Sequence, residues 1–97
     1  MREDVREMVS GILRNHFTNG EKVYAFGSRA RGTARKYSDL DLAVDSGDQS
    51  FDFSARCALK FDFEESDIPF RVDIIDLRSV TPEFKALIQT DFINLHY

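Results

Sequence analysis

The chain has 97 residues, 42% of them hydrophobic, and nine are Phe. That content supports one compact core and excludes both a second core and a disordered chain. The net charge of −4 argues against tight, non-specific binding to duplex nucleic acid, which needs a basic excess.

Val5, Met8, Val9, Ile12, Leu13 and His16 recur at spacings of three and four, which predicts an amphipathic helix over 3–17. Thr18-Asn19-Gly20 ends it. Lys22 to Phe26 reads as a short strand running into Gly27, followed by a turn and a short helix up to Gly32. A second strand is expected from Asp39 to Val44, and Asp45 to Asp48 reads as a loop. Ser50 is positioned to cap a helix over about 51–65. Its expected core stripe is Phe51, Ala55, Ala58 and Leu59. Phe53, Cys57 and Phe61 form a second stripe on roughly the opposite side, which is either covered by the domain itself or a contact surface. Cys57 within it reads as a small buried hydrophobe.

Phe70 to Leu77 forms the third expected strand, and Thr81-Pro82-Glu83 opens a last helix with Pro at its first position. Phe84, Leu87, Ile88, Phe92 and Leu95 continue its stripe. The order predicts an α/β fold: a small mixed sheet of three or more strands flanked by helices, in a single domain over residues 1–97.

The lone Cys57 and the separated His16 and His96 offer neither a disulfide nor a zinc cluster, which fits a reducing, cytoplasmic location. The charged start, Met1 to Asp4, does not read as a signal peptide. No apolar run has membrane-spanning length.

The chemistry concentrates in Gly27-Ser28-Arg29-Ala30-Arg31-Gly32 and Ser38-Asp39-Leu40-Asp41. A Gly-Ser turn between a strand and a helix lets backbone N–H groups approach phosphate oxygens, and Ser28 adds a hydroxyl. Asp39 and Asp41 alternate to one face of a strand, roughly 6.5–7 Å apart along it. Two carboxylates in a small volume repel unless a cation lies between them, and Mg²⁺ prefers such oxygen ligands. Asp73 interrupts the apolar run of the third strand and is the third candidate acid, in preference to Asp76 at the strand's end. Three carboxylates would serve two Mg²⁺ ions roughly 3.5–4 Å apart. Arg29, Arg31, Arg35 and Lys36 lie between turn and acids, where one or two would meet phosphates.

Gly27-Ser28, ten intervening residues, then Asp39-Leu40-Asp41, with Asp73 in a later strand, resembles the signature of the polymerase-β-type nucleotidyltransferases. Within that superfamily the chain resembles the minimal nucleotidyltransferases, closely over about residues 22–77. The resemblance implies ATP as nucleotide substrate, Mg²⁺ on Asp39, Asp41 and Asp73, and a phosphate site using Gly27, Ser28, Arg31 and Ser38. It also implies a small helical HEPN-type partner, toward which the nucleotidyltransferase is the antitoxin, with AMP transferred to a tyrosine in some members. Larger relatives carry extra domains that hold the base and acceptor. Their absence before Tyr97 predicts dependence on another chain, in a homo- or hetero-oligomer. The competing expectations are an antitoxin that neutralises by contact alone and, ranked lower, a transferase acting on an aminoglycoside-like small molecule.

Overall fold

The computed structural model describes residues 1–97. Helix α1 spans Glu3–His16 and buries Val5, Val9 and Leu13, four apart on one face. Glu3 and Asp4 at its start and Arg14 and His16 at its end match the helix dipole. His16 bonds the Asp62 carboxylate and ties α1 to the helix beside it.

Four strands follow: β1 (Lys22–Phe26), β2 (Leu40–Asp45), β3 (Val72–Asp76) and β4 (Ile93–Asn94). They lie in the order β3-β2-β1-β4. β1 is antiparallel to β2 and β4, whereas β2 and β3 are parallel. The parallel pair requires a crossover, supplied by α3 (Phe53–Glu64). The mixed α/β sheet expected from the sequence is therefore the one observed, with a fourth strand added.

That fourth strand corrects the reading of the last helix. α4 spans only Pro82–Gln89, capped by Thr81, whose hydroxyl accepts the Phe84 N–H. Its stripe does not continue to Phe92 and Leu95 as helix. The chain turns at Thr90 and pairs Ile93 and Asn94 with Ala25 and Tyr24. Pairing covers the open edge of β1 and places Leu95 in the main core, its N–H donating to the Val23 carbonyl at 2.9 Å. Backbone hydrogen bonds on a free edge outweigh two more turns of helix with little to pack against.

Four smaller corrections concern α3 and β2. Asp52, not Ser50, caps α3, accepting the Ala55 N–H at 2.8 Å. The inward stripe runs Phe51, Ala55, Leu59 and Phe63 at four-residue spacing, and Ala58 is exposed. Phe53 and Phe61 are 72% and 57% exposed, and Cys57 is an exposed free thiol, not a buried one. Finally, β2 begins at Leu40 and extends to Asp45, so Asp39 lies just ahead of the strand.

Alternation along the strands separates two faces. Val23, Ala25, Leu40, Leu42, Val44 and Val72 face α1 and α3 in the main core. Tyr24, Phe26, Ala43 and Ile75 face the other way, toward Ile88 of α4 and Phe92. Asp41 and Asp73 share that second face by the period of two. No helix is long and apolar enough to cross a membrane.

Candidate active site

The end of β1 feeds directly into Gly27, which has φ 74° and ψ −155° and precedes the one-turn helix α2 (Ser28–Arg31). A side chain here is barred twice. The positive φ disfavours any residue with a Cβ, and that Cβ would stand 2.5 Å from Oδ2 of Asp41. The Asp41 carboxylate thus rests against the backbone of the turn. Gly32, with φ 77°, closes α2 in the left-handed conformation. A helix of one turn has little macrodipole, so any phosphate cradle rests on backbone N–H groups and the Ser28 hydroxyl.

Asp41 and Asp73 are register partners on parallel β2 and β3. Neighbours in that register put both side chains on the second face. Asp39, two residues before Asp41, lies on the same side, close enough for its charge to act on Asp41. Burial, then the charges of Asp73 and Asp39, push the Asp41 carboxyl above the usual carboxylate range, while Arg31 pulls it down. Asp73 moves the opposite way. Its hydrogen bond from Arg71, at 2.9 Å, leads the causes that lower it, against a desolvation cost. Lys60 adds a second cation at 3.7 Å.

The three acids share a face, and both Asp39 and Asp73 lie close enough to Asp41 for their charges to act on it. No three His, Cys, Asp or Glu side chains form a group able to hold a metal ion as they stand.

The remaining expected residues are placed less uniformly. Arg31 is exposed, and its guanidinium pairs with Asp91 at 2.9 Å. Ser38 is engaged in the 33–38 loop. Its hydroxyl accepts the Arg35 N–H at 2.8 Å, and its carbonyl accepts two bonds from Arg29. Arg29 also lies 3.7 Å from the centre of the Phe70 ring, so it braces this loop. Asp76, the acid set aside in favour of Asp73, is nearly buried and accepts the Arg78 N–H at 3.0 Å, which makes it a turn-capping group.

Sequence reading overlooked Arg71, Lys60 and Asp91. Arg71 had a signal, since it stands two residues before Asp73 and alternates to the same side. Lys60 and Asp91 had none, because each meets its partner only through tertiary packing.

The chain is similar to known proteins in sequence and in fold. A family model described as "Polymerase beta, Nucleotidyltransferase" matches residues 7–96. A Haemophilus influenzae protein named "Probable protein adenylyltransferase MntA" is 48% identical over 71 residues, covering 73% of this chain. The matched stretch is 61% of that relative, so the chain spans under two thirds of its length. Among solved structures, a chain of a toxin–antitoxin complex with AMP-PNP superposes with a TM-score of 0.77 at 29% identity, covering 93% of this chain and 71% of that one. A chain from a complex of tri-AMPylated Shewanella oneidensis HEPN toxin with MNT antitoxin gives a TM-score of 0.73 at 25% identity, covering 98% and 71%.

Proposed function

The chain belongs to the polymerase-β nucleotidyltransferase family, and from that premise we propose that it is a Mg²⁺-dependent adenylyltransferase acting as an antitoxin. In this reading it moves AMP from ATP onto a HEPN-type helical partner, in the cytoplasm, as a single-domain protein within a hetero-oligomer. The observation that carries the reading is the pairing of Asp41 with Asp73 on parallel strands, with Asp41 pressed on Gly27. The names of the similar proteins, an adenylyltransferase and an antitoxin beside an AMPylated HEPN toxin, support the choice of AMP and of partner. The AMP-PNP complex supports ATP.

The residues fit a divalent cation in chemistry. Asp39, Asp41 and Asp73 are hard oxygen donors on one face, and burial, then the charges of Asp73 and Asp39, raise the proton affinity of Asp41. Those three acids would hold Mg²⁺, whose contribution is to neutralise phosphate charge and to acidify the attacking hydroxyl. Arg71 and Lys60 both meet Oδ1 of Asp73, so neither cation engages its second oxygen.

The chain's own groups do the positioning. Backbone N–H groups after Gly27 and the Ser28 hydroxyl orient the triphosphate. Arg31 adds charge beside Asp41, and Ser38 holds the loop that delivers Asp39. Positioning and electrostatics account for most of the barrier in phosphoryl transfer, so few chemical groups are needed.

The test is transfer of label from α-labelled ATP to a HEPN-type partner. Transfer is expected with Mg²⁺, and is expected to vanish in EDTA or in Asp41→Asn. Absence of transfer from the intact protein with its partner at saturating Mg²⁺ and ATP would sink the reading. The second reading, neutralisation by contact alone, draws on the exposed Phe53, Cys57 and Phe61 stripe of α3. It predicts that a variant lacking Asp39, Asp41 and Asp73 still protects cells from the toxin.

A further inference from the structure

On the side of the sheet away from the acids, a cavity of about 450 Å³ opens between the start of α1, the 33–38 loop and the approach to β3. Its volume falls within the roughly 300–1,000 Å³ common to small-molecule sites. Arg2, Arg29, Arg35 and Lys36 line it together with Tyr37 and Phe70, and no carboxylate does. In a chain of net charge −4, four cations without an acid around one hollow is a marked segregation.

The cations divide by what already holds them. Arg29 is spent on the carbonyls of Arg35, Lys36 and Ser38 and on the Phe70 ring. Arg2 pairs with Asp4 at 3.5 Å. Arg35 and Lys36 give their carbonyls to Arg29, take part in no ion pair, and are exposed. Two free cations therefore stand beside Tyr37, a residue 70% exposed, whose ring is available for stacking. Lys36 already lies 5.3 Å from the centre of that ring.

The cavity does not belong to the catalytic face. None of Gly27, Ser28, Asp39, Asp41 or Asp73 lines it. Its wall includes Val5, which packs into the main core on the opposite side of the sheet from the acids. The cation that acts on Asp41 is Arg31.

We propose that this cavity is a second, metal-independent nucleotide site, with phosphates on Arg35 and Lys36 and the base stacked on Tyr37. Charge-assisted hydrogen bonds to phosphate need no divalent ion, and an aromatic face adds affinity for a base without demanding its identity. The site goes beyond the transferase reading and stands without it.

The experiment titrates the ¹⁵N-labelled protein with ATP in EDTA and follows its amide spectrum. Saturable shifts are expected at Ala34, Lys36, Tyr37 and Phe70. Arg35→Glu with Lys36→Glu is expected to weaken binding by about tenfold or more, as loss of two charge-assisted bonds implies. These residues are exposed, so the variant should keep a dispersed spectrum. Tyr37→Ala should weaken ATP while leaving inorganic tripolyphosphate unchanged. Shifts confined to Gly27, Ser28 and Asp41 would overturn the proposal, as would undiminished binding by the double charge variant. Tripolyphosphate binding as tightly as ATP would overturn the nucleotide assignment. So would a short single-stranded RNA binding where ATP does not. EDTA withholds the ion on which transfer depends, so failure here leaves the transferase reading untouched.

Discussion

The two faces of the sheet are built to different rules. The first is covered by α1 and α3 and joins Leu40, Leu42 and Val44 of β2 to a core of fifteen buried residues. The second carries Asp41 and Asp73, and its apolar cluster has only three buried members, Ala43, Leu77 and Ile88. Successive residues of one strand, Asp41 and Leu42, therefore serve opposite purposes. Leu42 contributes to stability, whereas Asp41 sits among like charges in a place that costs stability. The site is tolerated because the opposite face holds the larger core.

Substitutions on the two faces should separate these roles, and the largest effect belongs to the core. Leu42→Ala, at a fully buried position, is expected to lose about 2–5 kcal/mol in urea unfolding. A loss under about 1 kcal/mol would show that the first face does not carry the fold. Next door, Asp41→Asn should cut label transfer by about 100-fold or more without lowering the melting temperature in EDTA. If the variant melts well below wild type, the account of Asp41 as a destabilising charge fails.

Gly27→Ala probes the contact between turn and acid. Its left-handed backbone implies a strain of order 1–3 kcal/mol, and the added methyl would displace Asp41. Stability and transfer should therefore fall together; loss of stability with normal transfer would contradict the packing of Asp41 on the turn.

Acid–base behaviour sharpens the same contrast. The folded state raises the Asp41 pKa, so it keeps a proton that the unfolded chain gives up. In EDTA that part of the stability should decline as pH rises from the ordinary carboxylate range through the raised Asp41 value. Asp73 is lowered by Arg71, so its contribution is present at neutral pH and lost as pH falls through its folded value. Comparing the pH dependence of unfolding for wild type and Asp41→Asn should isolate the first trend. Identical profiles would refute it. The smallest effect is expected on α4, where Leu87 is 70% exposed. Leu87→Ser should change stability by less than about 0.5 kcal/mol, and a larger loss would mean that α4 is more tightly packed than it stands here.

Local pattern carried most of the fold. The stripe of Val5, Val9 and Leu13 placed α1, and the alternation in Leu40 to Val44 placed β2 within a residue. Thr81-Pro82 marked the start of α4 because a hydroxyl cap and a residue lacking an N–H suit a helix's first turn. The same pattern misled at Phe92 and Leu95. Their spacing continues the helix, but the unpaired edge of β1 captured the segment as strand. Ala58 and Cys57 were misjudged because α3 has one covered side, and no periodicity says which of two apolar stripes a neighbour will cover.

Sequence alone fixed which residue types could do chemistry: the glycine turn, the acids two apart, and the acid inside an apolar strand. Each is a short-range relation set by backbone geometry. Only the tertiary structure decided that Asp41 faces Asp73 across parallel strands, that Arg71 and Lys60 pair with Asp73, and that Asp91 holds Arg31. Those relations join residues 13–60 positions apart as well as near neighbours, and their energies come from register, burial and charge proximity that exist only once the chain has packed.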